Sequence, residues 1–216
     1  MSFQADHPVY LAIRRQYEMA KLGPRAPLKI SQLADRHVSS TIPVREALVR
    51  LTSEDVAEQI PGQGFHIRSV SLDEMLIHYQ ICRTLYEMAL NDLERLEHVC
   101  LRSSVSINEV DLRPADDKAE TKPEFQERRI RALGGLILNP TQNKIYKRSL
   151  LITCPVRWIM HGDPELDPNI SEYLETLLPC LKARRFAEAR KLVTTYFESM
   201  QSTLRTPYEM YSRQFS

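Results

Sequence analysis

Between Ile30 and Leu51 two short helical patterns flank a brief polar break, and this segment restricts the fold more than any other. Leu33 and Ala34 on the first pattern, and Val44, Ala47, Leu48 and Leu51 on the second, recur at helical spacing, so each helix has one apolar face to bury. Ser40 or Thr41 can cap the second helix through a side-chain oxygen. Pro43 then falls in its first turn, where a missing backbone N–H costs little. Arg45 lands on the polar side, free to reach outward. Two short helices joined by a tight turn are the layout of a helix-turn-helix, whose second helix enters the DNA major groove while the first crosses the backbone.

A second pattern follows. Val56–Pro61 and Phe65–Val70 read as two short strands of partly alternating character, and Gly62 and Gly64 tolerate the backbone angles of a hairpin tip. This is a wing beside a helix-turn-helix. Gln63 and His66 are placed to approach phosphate or the minor groove; the alternative is that they are ordinary solvated hairpin residues.

Around this core the remaining elements are helical. Tyr10, Ile13 and Tyr17 predict a helix over Pro8–Leu22, ended by Gly23 and Pro24. Ser71 and Glu74 form a capping-box pattern opening a long helix to about Cys100. From Ser103 to Lys118 the chain is polar and proline-broken, a loop with room for one short helix. Further helices are expected over Pro123–Leu138, through the weak spot Gly134–Gly135, and from Asn139–Pro140 to Met160 with a bend at Pro155. After the loop His161–Pro168, one helix starts at Asn169 or Ser171, and a turn near Arg184 and Arg185 leads into the last, ending about Leu204. The expected fold is mostly α: a winged helix-turn-helix with a small β-hairpin wing over residues 1–70, then an all-α bundle over residues 71–216.

Composition is compatible with this and adds exclusions. The 216 residues are 43% hydrophobic and 26% charged, ordinary for a globular protein, and the formal net charge is +1, so any electrostatic footprint on nucleic acid must be local. The N-terminus lacks the basic start and apolar run of a signal peptide, and no apolar stretch approaches the ~20 residues of a spanning helix, so a cytoplasmic location with no membrane partner is expected. Cys82, Cys100, Cys154 and Cys180 are widely separated, and none of His7, His37, His66, His78, His98 and His161 has a metal-ligand spacing to another. No nucleophile elbow, phosphate-cradling loop or zinc-protease motif occurs, and six glycines leave little material for such loops; an enzyme is not expected.

Three motifs in order carry a resemblance. Pro43-Val44-Arg45-Glu46-Ala47-Leu48 follows a Ser/Thr turn; Pro61-Gly62-Gln63-Gly64-Phe65 forms the hairpin; Ser71-Leu72-Asp73-Glu74 leads into Ile81-Cys82-Arg83-Thr84-Leu85-Tyr86-Glu87. Together they resemble the GntR family of bacterial transcription regulators, in its FadR-like, FCD branch. The resemblance is strong over Leu33–Glu87; after Arg102 its anchors are Asn139-Pro140 and Arg185–Arg190. It implies a winged helix-turn-helix followed by an α-helical effector-binding domain, a homodimer on a palindromic double-stranded operator, and a small metabolite that alters DNA affinity, with repression the expected outcome. The runner-up is a ligand-sensing or protein-interaction module that has lost specific DNA reading.

Carried over residue by residue, the resemblance places Arg45 where the family reads its operator, and Thr41 where a second base-reading arginine usually stands. A bidentate arginine on guanine is worth ~1–3 kcal/mol of discrimination, which threonine cannot reproduce. Either the operator differs from the common one, or recognition leans on backbone and shape. Arg36 and Arg50 are candidates for phosphate contact, or are solvated surface arginines, and Ser31 and Ser40 complete the set of DNA-binding candidates. In the second domain Gln126 and Ile130 occupy the family's Asp-x3-His metal-ligand positions, while Leu174, with Tyr173 adjacent, and Tyr196 occupy the other two. None is a good ligand, so no metal or other cofactor is expected. These residues make an apolar interior suited to an organic effector, acyl or aromatic, with Arg83 as a partner for its carboxylate. The alternatives are a filled bundle without a ligand, and an ion pair between Arg83 and Glu87 one turn on.

Overall fold

A computed structural model describes residues 7–95, 121–167 and 170–215, which form two compact units. In the first, α1 (Pro8–Glu18), α2 (Ile30–Arg36) and α3 (Thr41–Ser53) precede an antiparallel hairpin of β1 (Ala57–Ile60) and β2 (Gly64–Ile67). Val9, Tyr10, Ile13 and Tyr17 of α1 are buried, as are Leu33 and Ala34 of α2 and Val44, Ala47, Leu48 and Leu51 of α3. Each large apolar side chain so enclosed contributes about 1.5–3 kcal/mol. In the hairpin Ala57 pairs with Ile67 and Ile60 with Gly64, which turns Phe65 and Ile67 into the core. The preceding extended segment adds to β2: the Leu28 N–H donates to Phe65 C=O at 2.7 Å and the Ile67 N–H to Ala26 C=O at 2.9 Å. At the tip, Gly62 adopts φ 74° and the Gln63 N–H reaches Ile60 C=O at 3.0 Å, a turn that Pro61 and Gly62 suit.

The second unit is helical, with α4 (Leu72–Arg95), α5 (Lys122–Ile137), α6 (Pro140–Gly162), α7 (Ile170–Lys182), α8 (Phe186–Thr203) and the start of α9 (Arg205–Arg213). The helix α4 packs against α6 and α8, α5 lies on α6, and α7 lies on α8. Asn139 and Gln142 cap α6 reciprocally, at 2.9 and 3.0 Å, and α6 continues through Pro155. Gly134 has a packing reason: a Cβ there would lie 2.4 Å from Cε1 of Tyr146, so the ring occupies the space a side chain would need. The expected continuation of α4 to Cys100, the Ser103–Lys118 loop and the cap at Asn169 lie outside the described residues.

Three features differ from the sequence reading. Ser40 is the residue before α3 but makes no side-chain capping bond. The helix α1 stops at Glu18, four residues short of the expected end, because Ala20 turns left-handed at φ 54° and the Lys21 N–H bonds back to Gln16 C=O at 2.9 Å. The same closure ends α2 at Val38, α3 at Asp55 and α7 at Arg184, with φ of 47°, 59° and 55°. This is the Schellman turn, commonly made with glycine, here built four times without one. The third difference is α9: its residues from Glu209 belong with the first unit, where the Tyr211 hydroxyl donates to Leu22 C=O at 2.7 Å and the Phe215 ring lies against Gly23.

Candidate nucleic-acid interface

The outer face of α3 follows from its inner one. With Val44, Ala47, Leu48 and Leu51 buried, helical spacing turns Thr41, Ile42, Arg45, Glu46 and Val49 outward, and all five are exposed. Ile42 and Val49 are 69% and 54% exposed, high values for β-branched apolar side chains. The face is therefore apolar at both ends and charged between. An arginine there can fork onto guanine, a glutamate can accept from the cytosine amine, and apolar side chains can meet thymine methyl groups. Ile42, Glu46 and Val49 were not among the sequence candidates. Their signal was positional: they stand three before, one after and four after Arg45, on one helical face.

The other candidates disperse. Ser31, Arg36 and Ser40 are exposed on α2 and the turn, and Gln63 is exposed at the hairpin tip. Arg50 is tied into the unit: its guanidinium lies 3.9 Å over the Tyr10 ring and its Nε is 3.5 Å from Glu54. Glu54 in turn accepts from the Tyr10 hydroxyl at 2.8 Å, so Arg50 helps fasten α3 to α1. Burial, and then the Glu54 carboxylate, push the Tyr10 phenol above its ordinary range. His66 lies within the sheet, opposite Glu58 and bridged to Pro27, with its Nδ1 enclosed.

In the second unit the effector candidates divide into three places. Tyr173 and Tyr196 stack with centroids 4.1 Å apart; Tyr196 meets Phe197 edge-on at 5.5 Å, and Tyr86 links Phe197 to Tyr146. The Tyr146 hydroxyl donates to Ile130 C=O at 3.3 Å, which brings Ile130 to the same aromatic core, and Leu174 is fully buried. The enclosed hydroxyl of Tyr173 has no hydrogen-bond partner among the described residues, and burial holds the phenols of Tyr86 and Tyr173 neutral. A cleft of about 210 Å³ between α7 and α8 reaches the edge of the Tyr173–Tyr196 stack. Gln126 lies apart, beside Ser171, and Arg83 lies elsewhere again. Its Nε is 3.3 Å from Glu87 and its Nη1 3.4 Å from Glu198, at the solvated margin of α4 and α8. The ion pair with Glu87, the alternative that the spacing offered for Arg83, is therefore present, and Arg83 stands apart from the aromatic core.

The interior also holds an ion pair. Arg157, 1% exposed, contacts Glu127 through Nε at 2.7 Å and Nη2 at 2.9 Å, and also donates to Leu150 C=O and the Thr153 hydroxyl. Burial pushes the Glu127 carboxyl up, but Arg157 outweighs this and holds it below the usual range. Among the described residues no three of His, Cys, Asp and Glu gather as a metal-holding group, and no helix is long and apolar enough to cross a membrane.

Residues 7–67 match the model of the gntR family of bacterial regulatory proteins. The helix-turn-helix and hairpin of the first unit thus match that family's model from α1 to β2. Solved structures share the fold over nearly the whole chain. McbR/YncC from E. coli is 24% identical, covering 94% of this chain and 96% of its own, with TM-score 0.61. A protein assigned as a transcriptional regulator GntR from Rhodococcus sp. RHA1 is 18% identical, covering 91% and 95%, with TM-score 0.65. Lar of Listeria monocytogenes, described as controlling expression of the agr system, is 15% identical, covering 95% and 98%, with TM-score 0.55. No curated protein sequence matches this chain. The GntR-type domain thus extends past α3 to include both hairpin strands.

Proposed function

We propose that this protein is a cytoplasmic, sequence-specific transcription regulator of the FadR-like branch, acting as a homodimer on a palindromic DNA site and more suited to repression than activation. The observation that carries this is the exposed face of α3, where Arg45 stands beside Glu46 and between Ile42 and Val49 in a GntR-type domain. Thr41 flanks this reading face; Ser31, Arg36 and Ser40 supply backbone contacts, and Gln63 extends the footprint at the wing. One such helix reads a half-site, so two copies set about one duplex turn apart are needed for a palindrome. The second unit supports dimerisation and holds, without a metal, a small organic effector against the core of Ile130, Tyr173, Leu174 and Tyr196, with Gln126 as a second, separate contact point. The effector changes DNA affinity only by as much as it prefers one state of the dimer over the other.

The test is a gel-shift titration on the DNA upstream of the protein's own gene, with wild type and Arg45→Ala. The substitution removes a bidentate base contact from both half-sites; at ~1–3 kcal/mol each, the dimer binds roughly 30- to 20,000-fold more weakly. Arg45→Ala binding that DNA as tightly as wild type would count against the proposed reading mode.

A further inference from the structure

Among its described residues the second unit buries two arginines and treats them oppositely. Arg157 is 1% exposed and held by both oxygens of Glu127; Arg129 on α5 is 5% exposed and has no carboxylate within ion-pair distance among the described residues. Its hydrogen bonds run from Nη1 alone, to Ser171 Oγ at 2.9 Å and Gln126 Oε1 at 3.4 Å, and both acceptors are neutral. The Phe125 ring lies 5.0 Å from the guanidinium carbon, and the Nε–H is enclosed without an acceptor. With Nη1 occupied, the unbonded edge is Nε and Nη2, the side-by-side pair that meets a carboxylate with two parallel hydrogen bonds.

The surroundings sharpen the imbalance. Arg128, the preceding residue, adds like charge, and the acidic group acting on Arg129 is Glu175, exposed on α7 and beyond contact. Ser171 is the second residue of α7, so the guanidinium also faces the end of a helix that favours negative charge. Burial accordingly pushes the Arg129 guanidinium below its ordinary range, whereas Arg157, paired with Glu127, is raised. A desolvated cation with only neutral partners is costly, and an anion on its open edge removes that cost.

We propose that Arg129, with Gln126 and Ser171, forms an anion site that takes the carboxylate of a small organic acid as the counter-ion the described residues do not supply to it. The proposal rests on the effector reading above and names the chemical class and anchoring residue of the ligand. It moves the carboxylate partner from Arg83, engaged at the surface, to an arginine that no motif singled out.

The experiment is a titration of the full chain, without DNA, with acetate, benzoate, succinate, citrate and inorganic phosphate at matched ionic strength. It is followed by thermal shift and by the arginine Nε–H resonances in proton–nitrogen spectra. At least one carboxylate is expected to raise the melting temperature saturably and to move the Arg129 Nε–H signal; Arg129→Gln loses both effects. Arg129→Lys, which keeps the charge and loses the fork, binds at least tenfold more weakly. Without ligand, Arg129→Gln melts no lower than wild type, because it removes an uncompensated charge. Three results overturn the proposal: no saturable binding of any of the four carboxylates, saturation by phosphate alone, or equal binding by wild type and either variant. An acid that binds through Arg129 but leaves the gel shift unchanged upholds the site and refutes the effector reading.

Discussion

Replacing Glu127 by glutamine tests the interior of the second unit most directly. The substitution keeps size and shape but removes the charge that meets Arg157 at 2.7 and 2.9 Å. Leu150 C=O and the Thr153 hydroxyl remain as neutral acceptors, and the new amide turns N–H donors toward a group that is itself all donors. Breaking a buried pair from one side costs about 3–5 kcal/mol, since the remaining ion is left uncompensated. With a urea dependence of about 2–3 kcal/mol per molar, the unfolding midpoint falls by roughly 1–2.5 M. The single tryptophan, Trp158, is the next residue after Arg157, so its fluorescence reports on this unit. The double substitution Glu127→Leu with Arg157→Met removes both charges and should recover most of the loss. The pH dependence has a definite sign. The folded Glu127 carboxyl is held below its unfolded value, so its contribution is complete above about pH 4–5 and is lost as pH falls through the lower, folded value. A loss under about 1 kcal/mol for Glu127→Gln, or a double variant no better than the single, would refute the reasoning.

Two further substitutions probe backbone and packing. Val38 is 95% exposed yet left-handed at φ 47°, so Val38→Gly loses no burial and relieves about 1–2 kcal/mol of strain against about 0.4–1 kcal/mol of added unfolded-chain entropy. A net gain of about 0.5–1 kcal/mol is expected in thermal unfolding of the first unit, and a lower melting temperature would contradict the strain argument. Gly134→Ala should destabilise by about 1–3 kcal/mol in urea despite alanine's better helix propensity, because its Cβ would overlap a buried ring. A more stable variant would show that Tyr146 can move aside.

What the sequence made legible was periodic. The buried positions of α2 and α3, the hairpin with its Pro61–Gly62 turn and the Asn139 cap all follow from residues close together in the chain, where spacing and local bonding decide the structure. The helix ends were harder: a closure at glycine leaves a mark, but closures at Ala20, Val38, Asp55 and Arg184 rest on backbone bonds that any residue can make at a cost. The arginines were hardest. Arg45 points outward because its neighbours on α3 must point inward, a local matter. Arg50, Arg83, Arg129 and Arg157 look alike in sequence, and their different states depend on Tyr10, Glu198, Ser171 and Glu127, each supplied by another helix. Ile42 and Val49 were passed over because apolar residues on a helix are core by default, and only the complete set of buried positions shows these two left outside.

The bond from Tyr211 to Leu22 and the seating of Phe215 on Gly23 mean that the first unit is discontinuous in the chain. During synthesis α1 to β2 emerge first, and the whole of Leu72–Tyr208 is made before the segment that covers Gly23. At about 5–20 residues per second the reading unit waits on the order of ten seconds for its last piece. A message that stops short of Tyr211 therefore yields α3 with its exposed face but without the Tyr211 and Phe215 contacts of its own unit, so those contacts form only once the chain has been made through Phe215.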